Sequence, residues 1–224
     1  MQVGKEFALL FSVLFLPGIV SQGAGVDPAG FERVAYHLLV LAVALPQLLI
    51  VLYVSDLRIP GSSLRFGWRA PSWKDAGTAA LTYLGVMGGA ITISAIIGAI
   101  SAFLPEIESA FLPRVMWRFS APALIPLALI SSLAVGYREE VFFRAYLINR
   151  SSEIGVSTVG AVGGGAVLFA VGHLYQGVAG FVVALLLGVA LGAIYARTRS
   201  LHGVAVAHGL YNLTILLISG TTSV

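Results

Sequence analysis

Long uncharged runs decide what this chain can fold into. No Asp, Glu, Lys or Arg occurs between Val34 and Val54, between Ala76 and Pro105, between Ile154 and Ala196, or from Ser200 to Val224. A helix of about 20 apolar residues crosses the hydrocarbon core of a bilayer. The composition agrees: 58% of the 224 residues are hydrophobic and 10% are charged, against roughly 45–50% and 25% in soluble domains. The expected fold is all-α, a polytopic helical membrane protein forming a single integral membrane domain over residues 1–224. Seven transmembrane helices are expected, at about 6–21, 33–54, 77–103, 121–149, 156–175, 178–196 and 201–219.

The few charges read as topology. The net charge of +3 is not a nucleic-acid signal, because the cations gather at the ends of the apolar runs. Arg58, Arg65, Arg69 and Lys74 share the connection 55–76, which the positive-inside rule assigns to the cytoplasm. Alternation then puts Lys5, Arg150, Arg197 and Arg199 inside as well, with the N-terminus in and the C-terminus out. Arg114 and Arg118 fall outside, against the rule. The run FALLFSVLFL after Lys5 has the apolar character of a signal peptide, but Glu6 and the lack of an A-x-A site favour a retained helix. Ser72-Trp-Lys-Asp75 predicts a capping box opening the third span. Segment 105–119 mixes aromatic and charged residues and suits the outer interface. Glycines within 85–99 and 160–192 permit close helix packing or a lateral opening. Cysteine is absent, which removes disulfides, thiol catalysis and Cys-based zinc sites.

Against this background the stretch YREEVFFRAYL, 137–147, stands out. It places Arg138, Glu139, Glu140 and Arg144 inside the fourth apolar run. A single such charge at mid-membrane costs about 2.5–3.5 kcal/mol on an insertion scale, so the four must be paired, hydrated or functional. Glu140 and Arg144 stand four apart on one helix face, acid first, and can pair. Glu139 points roughly 100° away from Glu140 and faces something else. Arg138 lies near the polar end of the run and is read as a solvated or snorkelling residue. Intramembrane ionisable residues mark functional cavities.

Histidines supply the counterparts. His173 closes the fifth span one turn after Phe169. His208 and Asn212 lie four apart on one face of the seventh. His37 and His202 are read as incidental. At about 1.5 Å per helical residue, Glu139 and Asn212 both lie roughly 16 Å above the inner ends of their helices, and His208 roughly 10 Å. His173 comes out near 25 Å on the same rise, unless Gly163-Gly164-Gly165 bends its helix.

These residues resemble the signature of the CPBP (ABI) family, which includes the type II CAAX prenyl proteases. Its EExxxR, FxxxH and HxxxN motifs read here as Glu139-Glu140 to Arg144, Phe169 to His173, and His208 to Asn212. The resemblance covers a core of about 120–219. It implies an intramembrane glutamic protease acting on a membrane protein or lipidated, CAAX-like peptide. Glu139 and His173 would activate a water, His208 and Asn212 would stabilise the oxyanion, Glu140 and Arg144 would form a structural ion pair, and Phe169 would support the motif. No cofactor is implied. The expected setting is a lipid bilayer, the prokaryotic cytoplasmic (inner) membrane.

Three alternatives stay open. Glu139, His173 and His208 could instead hold zinc, with water as fourth ligand, although HExxH is absent. Buried Glu and His also mark proton-coupled transporters, although no inverted repeat is visible. A non-catalytic scaffold, such as a bacteriocin-immunity or protein-sorting factor, is the third.

Overall fold

The computed structural model describes residues 3–21, 27, 29–104 and 119–221, and all regular secondary structure among them is helical. The main elements are α1 (Val3–Leu14), α2 (Leu16–Val20), α3 (Val34–Arg58), α4 (Ser62–Arg65), α5 (Trp73–Ser101), α6 (Ile125–Glu140), a π-helical segment (Val141–Tyr146), α7 (Leu147–Ser152), α8 (Thr158–Val171), α9 (Gly177–Thr198) and α10 (Leu201–Thr221). Four helical stretches are long and apolar enough to cross a membrane: Val34–Arg58, Trp73–Ile100, Leu174–Thr198 and Leu201–Ile218. Thr158–Val171 is apolar but shorter. Residues 105–118 lie outside the described set, and with them most of the segment read as interfacial, including Arg114 and Arg118.

The first apolar run differs from the single helix expected over 6–21. It breaks at Phe15 into α1 and α2. Pro17 is the physical reason: it has no N–H to give the helix, and its ring crowds the carbonyl four residues earlier. The third span opens as the Ser72–Asp75 pattern predicts. The Asp75 carboxylate accepts from the Ser72 backbone N–H at 2.8 Å. It also accepts from Arg69 at 2.8 and 3.0 Å and from the Ser200 hydroxyl at 2.6 Å. One carboxylate thus joins the 55–76 connection to the start of α10.

The α6 helix is central. Both α10 and α3 pack on it, α5 backs α10, and α9 lies along α8. The α6–α10 crossing is close because it is made of glycine. A Cβ on Gly136 would lie 2.7 Å from the Ala205 carbonyl oxygen, and one on Gly209 would lie 2.8 Å from Leu133 Cα. Gly209 follows His208 and Gly136 sits one turn before Glu139, so this contact sets those two side chains against each other. By contrast, Gly163–Gly165 lie inside α8, which does not break there. Gly85 and Gly89 have no neighbour where a Cβ would stand; they line an apolar groove of about 330 Å³ between α5 and α9.

A second charge cluster pins α1. Buried Glu6 accepts from the Tyr146 hydroxyl at 3.0 Å and pairs with Arg58 at 3.3 Å and Arg150 at 3.4 Å. Arg150, itself buried, also pairs with Glu153 at 2.6 Å and donates to the Ser55 carbonyl at 3.0 Å. From this anchor Phe7, Phe11 and Phe15 run along α1 against Phe142.

Widening the α6–α10 contact should destabilise the bundle. Gly209→Val is expected to lower the thermal midpoint of the detergent-purified protein by several degrees, since overpacking costs about 1–3 kcal/mol. Gly88→Ala, at a position with open space, should hold or raise it.

Candidate active site

Glu139 and Glu140 are the last residues of α6, and the backbone passes directly from them into the π segment Val141–Tyr146. Single π turns inside α-helices are frequent at functional sites. Across this junction Glu140 and Arg144 keep the predicted pairing: Oε1 to Nη1 is 2.9 Å, with the two side chains 0% and 2% exposed. The guanidinium lies 4.7 Å from the Phe169 ring centroid, and Nη2 donates to the Gly188 carbonyl at 3.4 Å. The pair therefore ties α6 and the π segment to α8 and α9.

His208 joins this pair from α10. Its Nδ1 lies 2.8 Å from Glu140 Oε1. A carboxylate only accepts, so Nδ1 carries the proton. That orients the ring, and its Nε2 faces Glu139 Oε2 at 3.7 Å. Asn212, one turn further along α10, lines the same cavity.

His173 arrives differently. The α8 helix stops at Val171, and the chain turns through Gly172 and His173 into a 3-10 turn, Leu174–Gln176. The straight-helix depth reading of roughly 25 Å therefore does not apply. His173 Nδ1 donates to the Phe169 carbonyl at 2.8 Å, again because the partner only accepts, and Nε2 is left free of that bond. Phe169 is a hub. Its ring centroid lies 4.5 Å from that of His173, 5.6 Å from His208 and 5.5 Å from Phe143. The F-x-x-x-H spacing thus supplies both a carbonyl that fixes the imidazole and a ring that fills the space between the histidines.

Glu139, His173, His208 and Asn212 all line one cavity of about 300 Å³. A smaller one of about 230 Å³, beneath Leu14–Ile19, reaches Glu139 and His173 from the other side. Glu139 does face away from Arg144, as helix geometry requires, but it is not left without a cation. Arg138, read from sequence as a solvated residue, pairs with the Glu139 carboxylate. It also reaches Gln47 Oε1 at 3.4 Å and lies 5.6 Å from the Phe15 ring centroid. Tyr175, two residues past His173, lines both cavities and gave no signal beyond that proximity. His37 and His202 are buried and engaged elsewhere. His37 bridges Ser131 Oγ at 2.8 Å and the Phe31 carbonyl at 3.0 Å, while His202 bridges the Tyr137 hydroxyl at 2.9 Å and the Arg69 carbonyl at 2.5 Å. Among the described residues no three His, Asp, Glu or Cys side chains form a group able to hold a metal ion.

Residues 121–214 match the family model of type II CAAX prenyl endopeptidase Rce1-like proteins. The family resemblance holds. The matched stretch contains all three motifs, from Glu139 to Asn212. It implies a protease, a hydrolase, and together with the four long apolar helices it points to an integral membrane protein. No curated protein and no solved structure matches the chain.

The Glu140 cluster has a measurable consequence. Glu140→Ala should lower stability by about 3–5 kcal/mol, because Arg144 is left buried without its counter-charge. Glu139→Ala should cost less, since Arg138 is 21% exposed where Arg144 is 2% exposed. Chemical or thermal unfolding in detergent distinguishes the two.

Proposed function

We propose that the protein is an intramembrane endopeptidase that hydrolyses a peptide bond of a membrane-associated protein or lipidated, CAAX-like peptide with a water activated by Glu139 and His173. The observation that carries this reading is the single cavity shared by Glu139, His173, His208 and Asn212, side chains that leave three separate parts of the bundle. Glu139 takes a proton from the water as its oxygen attacks the carbonyl carbon. The resulting oxyanion is held by the Asn212 amide and by His208. His208 donates from Nε2 only when that nitrogen is protonated, because its Nδ1–H is given to Glu140. Nε2 stands 3.7 Å from Glu139, the group that gains the water proton. Glu139 then gives that proton to the amide nitrogen, the C–N bond breaks, the amine leaves and Glu139 returns to its carboxylate form. No Ser or Thr belongs to the quartet, which favours water over a covalent acyl-enzyme. The reading needs no metal.

The topology proposed for this chemistry is seven crossings, N-terminus in and C-terminus out. In that scheme α1 and α2 together make the first crossing, and α6 runs through the π segment into α7 as the fourth. The whole of 1–224 is taken as one membrane domain with its motif core at about 120–219. A prokaryotic cytoplasmic membrane is the proposed location.

Comparative membrane proteomics of cells carrying the wild type or Glu139→Gln should show one shortened protein that returns to full length in the variant. With that substrate in purified form, Glu139→Ala or His173→Ala should lower kcat by about 10²–10⁴-fold, and His208→Ala or Asn212→Ala by about 10²–10³-fold. All four variants should remain folded. A chelator should leave the rate unchanged; loss restored by zinc would overturn the metal-free mechanism. Full biological function of Glu139→Ala and His173→Ala at normal protein levels would overturn the catalytic reading itself.

A further inference from the structure

Among the described residues lining the cavity, Arg138 is the one permanent cation, and the proposed reaction does not use it. It lines both the larger and the smaller cavity, which share Glu139 and His173. Its side chain is 21% exposed, against 2% for Arg144. A guanidinium carries five N–H donors. Among the described residues those of Arg138 reach the Glu139 carboxylate and, at a long 3.4 Å, the neutral oxygen of Gln47; Nε has no hydrogen-bond partner. A partly exposed guanidinium with unfilled donors on a cavity wall attracts an anion.

The balance of charge in the cavity points the same way. Among the described residues lining the larger cavity, Glu139 is the only carboxylate. Opposite it stand Arg138 and the two imidazoles. An entering negative group meets one repelling charge that already has a partner, and one guanidinium able to bind a carboxylate through two parallel bonds.

Resting on the protease reading, we infer that Arg138 is the specificity residue of this site and receives a carboxylate of the substrate peptide. Arg138 adjoins Glu139 in sequence, so the carboxylate lies within a few residues of the scissile bond; an extended chain advances about 3.3 Å per residue. The same contact draws the guanidinium away from Glu139, whose oxygens are then free to hold the water. Substrate binding and base release become one event. The carboxylate is either the chain terminus or an Asp or Glu side chain.

The test uses the full-length protein in liposomes and N-acylated peptide libraries in three series. One ends in a free carboxylate and has no acidic side chain. The second is amidated and carries one Asp. The third is amidated and neutral. Cleavage is read by mass spectrometry as kcat and KM. The wild type should prefer one carboxylate series over the neutral one by about ten- to a hundredfold in kcat/KM, and the preferred series identifies the source of the charge. Arg138→Gln should erase that preference by raising KM for the carboxylate series, and Arg138→Lys should restore part of it. Equal cleavage of all three series by the wild type would overturn the inference and leave the protease reading intact. So would an Arg138→Gln variant that lowers kcat alike for every series, the mark of a residue that only positions Glu139. If Arg138→Gln fails to fold, Arg138→Lys decides: a carboxylate preference unchanged from the wild type would overturn the inference. Failure to cleave any peptide above the level of Glu139→Ala would overturn both.

Discussion

The rest of the structure depends on one buried charge cluster, Glu140 with Arg144 and His208. Two opposite charges removed from water are tolerated only in close pairing, and here the ion pair carries most of the compensation, since Glu140 Oε2 and Arg144 Nη1 have no hydrogen-bond partner beyond it among the described residues. Here the cluster draws on α6, the π segment, α8, α9 and α10. Glu140 takes the Arg144 guanidinium and the His208 Nδ1 proton, and Arg144 in turn rests on Phe169 and donates to Gly188. No helix among these can rotate or slide without stranding a charge in an apolar interior. The cluster therefore fixes the rotation of α6, and Glu139, one residue earlier, has to point into the cavity.

Backbone features make that geometry attainable. Gly136 and Gly209 bring α6 and α10 into direct contact beside His208. Gly188 does the same for α9 against Ala166 of α8, where a Cβ would lie 2.9 Å from the Ala166 backbone. The end of α8 at Val171 turns the chain so that His173 faces the cavity. At the opposite end of the bundle, Glu6 and Arg150 hold α1 in place, and the Phe7–Phe11–Phe15 row carries that anchorage up to Arg138.

Much of the site is legible in the sequence because its key pairs are local. Glu140 with Arg144 and His208 with Asn212 are each four residues apart, and helical periodicity puts each pair on one face; Phe169 and His173 are also four apart, but His173 lies just past the end of α8. The Ser72–Asp75 cap is legible for the same reason. What sequence does not reveal are contacts set by where helices end and cross. Neighbours in a helix do not face each other, so Arg138 was not expected to reach Glu139; its long side chain does so at the junction with the π segment. A straight-rod estimate misplaces His173 because it cannot see α8 stop. Glu6 finds Arg150 through a fold, not through spacing. The break at Phe15 was within reach, since Pro17 announces it. The family match to residues 121–214 covers the local motifs and leaves the α1–α2 cover to the structure.

The convergence of α6 and α10 at the first carboxylate of the doublet is open to a direct check, because the chain has no cysteine of its own. Glu139→Cys combined with His208→Cys, in membranes, should be joined by a short bifunctional thiol reagent, as should the reference pair Tyr83→Cys with Thr214→Cys, whose native side chains lie 2.9 Å apart between α5 and α10. The expected result is intramolecular linkage in both double variants and in neither set of single ones. Linkage of the reference pair alone, in protein that is folded, would mean that Glu139 and His208 do not share a cavity and would contradict the proposed active site.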